Sequence, residues 1–284
     1  MHEGTFRYEG YELAYTEYGE GPRTVVLVHG LLFNQRMHIP LARALARRGN
    51  RVVTVDLLGH GRSDRPTDMW EYSMSAFGRQ IVALLDELGV DEAVVQGTSL
   101  GANAALEAAS HAPGRVRGMV IEMPVLDHAL IGCALAFTPL MVGLTVGAPV
   151  WRLATAPAKL LRGRVPALAD LGVEWITQDP APGGALIQGL FFGRIAPHRT
   201  ERQTFEMPTL VIGHGRDGIH PFSDAEMLAA ELPAGRLLQA TSLFEMRIAP
   251  RRLTNEIADF LDDCWKPRPA TARQRAPRRR AAAG

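Results

Sequence analysis

Ser99 stands in G-T-S-L-G, residues 97–101, with the apolar run Ala93-Val94-Val95 before it and an alanine-rich stretch, Ala102, Ala104, Ala105, Ala108 and Ala109, after it. Strand, tight turn and helix in immediate succession form a nucleophile elbow. The serine sits at strained backbone angles, and glycines at 97 and 101 leave room for the chain to fold back on itself. The small residues that follow let the helix lie close to a sheet, and its N-terminus directs partial positive charge toward a developing oxyanion. The chemistry offered is nucleophilic attack by a hydroxyl, which is weak near neutral pH unless a base is adjacent.

Positioning such a serine requires a sheet, and the pattern supplies one. Residues 5–8 and 11–18 alternate in polarity around Glu9-Gly10, as an antiparallel hairpin does. T-V-V-L-V at 24–28 is a continuous apolar run suited to a parallel strand covered on both faces. Helix near 39–48, strand 51–55, a helix over 73–88 with Phe77, Ile81, Leu84, Leu85 and Leu88 on one face, the elbow, and strand 118–125 follow in order. Strands alternating with helices call for a parallel sheet with right-handed crossovers. The alternation stops over 126–207, where prolines at 139, 149, 157, 166, 180 and 182 indicate a helical cap. It resumes with strand 208–213, helix 223–232, strand 236–240 and an amphipathic helix at 250–265. The expected organisation is thus a core of residues 1–125 and 208–265, a cap of 126–207, and a disordered basic tail of 266–284.

His29-Gly30 after one strand, D-x-x-G-x-G-x-S-D at 56–64 after the next, and then G-x-S-x-G together resemble the α/β-hydrolase fold family, over about residues 5–264. The resemblance implies an α/β fold with a mostly parallel eight-stranded sheet, helices on both faces and a helical cap. It implies oxyanion-binding N–H groups at Leu31 and Leu100, a structural role for His29, and a triad acid at Asp217, which ends a strand in H-G-R-D-G-I-H-P; Glu122 is the runner-up acid. A serine at the elbow disfavours the haloalkane dehalogenase and epoxide hydrolase branches, whose nucleophile is a carboxylate. One feature departs from the pattern. The family histidine in the loop after the last strand falls here on Leu243, and no histidine follows His220. Three readings stay open: His220 as a displaced base; Glu245 with a raised pKa, or His128 or His198 from the cap; or no base at all. His38, His60, His111 and His214 read as surface or loop residues.

With 46% hydrophobic and 21% charged residues, the 284-residue chain fits one large α/β core with an insertion. Seven basic residues and no acid from Lys266 onward leave the remainder at net −6, which argues against a nucleic-acid surface. Cys133 and Cys264 form no metal or redox spacing, and the N-terminus lacks a secretory pattern, so a cytoplasmic location is expected. Residues 129–151 carry no charge, but glycines and prolines should interrupt them, so no membrane span is expected. This stretch reads either as a lid over an apolar substrate or as a face packed on the core or on a second copy in a homodimer. No metal constellation or dinucleotide glycine motif appears, so no cofactor is expected. The implied function is a serine hydrolase acting on an ester, thioester or related bond of a small apolar substrate. The alternative is a triad-deficient relative that binds or non-hydrolytically transforms an apolar ligand.

Overall fold

Valines and a leucine that alternate sides decide the layering. In Thr24–Val28, Val26 and Val28 join one buried cluster while Val25 and Leu27 join another, so this strand is covered on both faces and all five residues are buried. The computed structural model describes residues 1–242 and 245–267. Among them are eight strands: β1 (His2–Tyr8), β2 (Tyr11–Tyr18), β3 (Thr24–Val28), β4 (Arg51–Val55), β5 (Ala93–Thr98), β6 (Val116–Glu122), β7 (Thr209–His214) and β8 (Gly235–Ala240). They form one sheet in the order β1-β2-β4-β3-β5-β6-β7-β8. β1 and β2 make an antiparallel hairpin and β2 is antiparallel to β4; every later pairing is parallel.

The helices are α1 (Ile39–Ala46), α2 (Met74–Glu87), α3 (Leu100–His111), α4 (Leu130–Leu144), α5 (Ala148–Thr155), α6 (Ala167–Ile176), α7 (Pro180–Phe192), α8 (Arg199–Arg202), α9 (Phe222–Glu231), α10 (Glu245–Ile248) and α11 (Arg251–Cys264). Phe77, Ile81 and Leu84 of α2 and the alanines of α3 pack on one face of the sheet, with Leu228 of α9. Leu41 and Leu45 of α1 and Leu253, Ile257 and Leu261 of α11 cover the other. The sequence bounds of most elements hold within two residues, because each is set by local apolar periodicity.

Helices α4 to α8 fill the segment between β6 and β7, where no strand occurs among the described residues. Its apolar run differs from the sequence expectation. Instead of being interrupted, α4 continues through Pro139, and Asp127–Leu144 is long and apolar enough, by length and composition, to cross a membrane, with only 11% of it buried. Pro139 removes the bond to the Leu135 carbonyl. Leu135 lies on the exposed side of the helix at 73%, where solvent can satisfy that group. Ile131, Leu135 and Val142 recur at helical spacing on this exposed side, and Val146 in the turn beyond it is exposed as well. The expected tail lies outside the described residues beyond position 267, as does Leu243.

The tightest crossing brings α3 onto the sheet at the elbow. A Cβ at Gly97 would meet the Gly101 carbonyl oxygen at 2.0 Å, and one at Gly101 would meet the Val28 carbonyl oxygen at 2.3 Å. Both obstacles are backbone, so neither can swing aside. On the far side, Glu245 clamps the end of the sheet to α11: its carboxylate accepts from the Thr241 N–H at 2.6 Å, the Thr241 hydroxyl at 2.7 Å and Arg252 Nε at 2.8 Å. The Arg252 guanidinium, outweighing burial, and the Thr241 donors hold this carboxyl down to about 2. Glu245 is therefore a fixed anion rather than the raised-pKa base considered from sequence.

Gly97→Ala is expected to destabilise the fold by about 3 kcal/mol or more in urea denaturation, whereas overlap that could relax would cost under about 1 kcal/mol. Glu245 binds its proton less readily folded than unfolded, so its stabilisation is complete above the ordinary glutamate range. It disappears as pH falls from about 4.5 toward about 2. Glu245→Gln should therefore be less stable than the parent near neutrality and converge toward it in that acid window, as followed by denaturation at a series of pH values.

Candidate active site

Ser99 adopts φ 55° and ψ −113°, a conformation that a side chain tolerates only when the surroundings enforce it. Here its N–H donates to the Glu122 carbonyl at 2.9 Å and its own carbonyl accepts from the Asn103 N–H at 3.1 Å, fixing the turn from both sides. Leu32, Met123 and Arg216, three of the other non-glycine residues with positive φ, lie on loops at the same end of the sheet.

Asp217 and His220 come from the loop after β7. Asp217 Oδ1 accepts from the N–H groups of Ile219 at 2.8 Å and His220 at 3.0 Å, curling the loop back on itself. Asp217 Oδ2 faces His220 Nδ1 at 2.8 Å, and His220 Nε2 faces Ser99 Oγ at 2.8 Å. An ionised carboxylate only accepts, so Nδ1 carries the ring proton and Nε2 is left to accept from the serine hydroxyl. Burial works against the Asp217 carboxylate, but the His220 ring and the two backbone donors outweigh it and bring the carboxyl down to about 2. Asp217 is thus ionised at any ordinary pH. A histidine only three residues from its acid does reach the serine, because the curled loop spends those residues on turning rather than on distance.

Leu31 and Leu100 both line the cavity at Ser99. Among the described residues neither backbone N–H has a hydrogen-bond partner, and that of Leu100 belongs to the first turn of α3, where N–H groups point out along the axis. His29 is fully buried; its Nε2 accepts from the Leu57 N–H at 3.1 Å, so Nδ1 donates to the Gly30 carbonyl at 2.9 Å. Burial lowers its pKa and the neutral ring pins the loop carrying Leu31 to the segment after β4.

The other histidines and acids lie elsewhere. Glu122 accepts from the Thr98 hydroxyl at 2.6 Å and from Arg247 Nη2 at 3.1 Å, and its Oε1 lies 3.3 Å from His214 Nε2, off the hydrogen-bond line. Burial opposes its charge, but Arg247 and His214 lower its pKa far below the carboxylate range. Among the described residues no hydrogen bond or ion pair joins it to His220. His128 pairs with Asp224 at 3.1 Å and His198 caps α8. His38, His60 and His214 are buried, not superficial as expected; each ring bonds a backbone carbonyl, of Val28, Leu58 and Ser242 respectively. Cys133 also lines the cavity, but burial pushes its thiol up to about 11. Among the described residues no group of three or more His, Cys, Asp or Glu side chains could hold a metal ion.

Sequence reasoning missed Arg247. It lies on α10 in the return from the last strand, the region where the resemblance puts a histidine, and lines the same cavity as Ser99, Asp217 and His220. The available signal was a lone cation in an otherwise apolar stretch, M-R-I-A.

A family model described as alpha/beta hydrolase fold matches residues 23–141. Bifunctional epoxide hydrolase 2 of Sus scrofa is 37% identical over 113 residues; this match covers 39% of the chain and 20% of that protein, so the chain spans about a fifth of this relative's length. Among solved structures, the enol-lactonase from Burkholderia xenovorans LB400 superposes with a TM-score of 0.76 at 22% identity, covering 91% of this chain and all of that one. A thermophilic esterase from Thermogutta terrifontis gives 0.70 at 21% identity, covering 92% and 97%. The strand order and these likenesses show that the chain has the α/β-hydrolase fold.

Proposed function

We propose that this protein is a serine hydrolase that cleaves an ester, thioester or related bond of a small, largely apolar molecule. The observation that carries this reading is the unbroken chain Asp217 Oδ2, His220, Ser99 Oγ, with both contacts at 2.8 Å. In the reaction, Ser99 Oγ attacks the substrate carbonyl carbon while His220 Nε2 takes the hydroxyl proton. Asp217 holds the imidazole in the tautomer that leaves Nε2 free and stabilises the imidazolium as it forms. The carbonyl oxygen gains a negative charge and accepts from the N–H groups of Leu31 and Leu100, which are fixed before the charge develops. Collapse expels the leaving group, protonated by His220 Nε2, and leaves acyl-Ser99. Water, deprotonated by the same nitrogen, then releases the acid and restores the hydroxyl.

The walls beside Ser99 support an apolar substrate. A cavity of about 210 Å³ is lined by Met74, Val125, Phe137, Leu190 and Phe191 among others, with residues of α4 and α7 supplying its cap side. The reaction classes of the relatives, an enol-lactonase and an esterase, are compatible with acyl transfer through a serine. A carboxylate nucleophile of the epoxide hydrolase kind has no counterpart at position 99. The alternative of a triad-deficient binding protein rested on the missing histidine after the last strand; the contact of His220 with Ser99 favours the hydrolase reading over it.

A fluorophosphonate probe should label the protein on Ser99 and leave Ser99→Ala unlabelled. His220→Ala should lower kcat on an apolar p-nitrophenyl ester at least about a thousandfold with KM little changed, because the lost group acts on the proton and not on substrate binding. Turnover within about tenfold of the parent would remove His220 from the reaction.

A further inference from the structure

Ser99 and His220 stand where two cavities meet. The smaller, about 210 Å³, has aliphatic and aromatic walls; apart from His220 no ionisable group lines it except the protonated Cys133 thiol. The larger, about 580 Å³, shares Leu31, Ser99, Phe137 and His220 with it and adds two charged groups, Asp217 and Arg247. Asp217 is committed to His220 and the backbone of its own loop. Arg247 is committed only in part. Its Nη2 reaches Glu122 Oε2 at 3.1 Å and Thr98 Oγ1 at 3.3 Å, while among the described residues its Nε and Nη1 have no hydrogen-bond partner. Thr98 immediately precedes the nucleophile, so the guanidinium is anchored one residue from the reacting atom.

We propose that Arg247 binds a carboxylate on the substrate, so that the bond cleaved at Ser99 joins a hydrocarbon arm in the smaller cavity to an anionic arm in the larger one. This rests on the serine hydrolase reading for the cleavage, and on Arg247 alone for the anion.

Three features favour it. A guanidinium with two unused donor positions in an apolar cavity is the strongest polar feature an incoming molecule meets, and its planar fork matches a carboxylate. Removing that carboxylate from water is costly unless it is paired and hydrogen-bonded, so an anion binds here and not on the aliphatic side. Thr98 and Glu122 hold the guanidinium rigidly, so little side-chain freedom remains to be lost when a ligand arrives.

The experiment compares monoethyl suberate, an anion at neutral pH, with diethyl suberate, its neutral counterpart, by calorimetric titration into folded Ser99→Ala, where no turnover intervenes. The monoester should bind at least about tenfold tighter. That ratio should collapse toward unity in Ser99→Ala/Arg247→Gln, with circular dichroism confirming a folded chain. If that variant does not fold, Ser99→Ala/Arg247→Lys preserves a cation for Glu122 and should still lose several-fold in the ratio, because an ammonium lacks the fork. Equal binding of the two probes, a preference for the diester, or a preference that survives loss of the guanidinium would overturn the proposal. The serine reading fails separately: charge preference in Ser99→Ala without ester turnover by the parent would refute cleavage and support the anion site.

Discussion

The close approach of α3 to the sheet is the constraint on which the catalytic end depends. Two carbonyls, of Val28 and Gly101, occupy the space that side chains at 101 and 97 would need. Only this spacing lets the chain reverse within one residue, and the reversal forces Ser99 to φ 55° and turns its hydroxyl toward the loops. The same crossing leaves the first N–H of α3 unpaired beside the hydroxyl, so in the proposed reaction one piece of geometry supplies both the nucleophile and an oxyanion donor.

The second half of the site is assembled by a turn, not by a sheet. Asp217 uses one carboxylate oxygen to curl its loop and the other to orient His220. That division of labour is how, in the proposed reaction, the loop after β7 supplies the base, no histidine following His220 in the sequence. The return after β8 carries Arg247 instead, tied to the buried Glu122 at the end of β6.

Local patterns made the sheet and the elbow legible in the sequence. Apolar pentapeptides, Glu9-Gly10 between alternating strands and G-T-S-L-G each specify their conformation within a few residues, so the eight strands and the serine turn could be placed from them. Relationships across the sheet were not legible. Glu122, His214 and Arg247 are separated by up to 125 positions, and only the neighbouring of β6 and β7 together with the return after β8 brings them into contact. His38, His60 and His214 looked like loop residues because a single sequence does not show which backbone carbonyls need a buried partner. Pro139 misled for a related reason: a proline breaks a helix when the carbonyl it abandons is buried, and here that carbonyl lies on an exposed side.

The central claim is spatial: the Ser99 hydroxyl, the His220 ring and the two unpaired N–H groups converge on one reacting carbon. A crystal structure of the protein after reaction with a fluorophosphonate tests it most directly. The account predicts phosphorus bonded to Ser99 Oγ, a phosphonyl oxygen accepting from the N–H groups of both Leu31 and Leu100, and His220 Nε2 still within hydrogen-bond distance of Oγ. An unmodified Oγ, a phosphonyl oxygen directed away from those two amides, or a His220 ring turned from the adduct would contradict it.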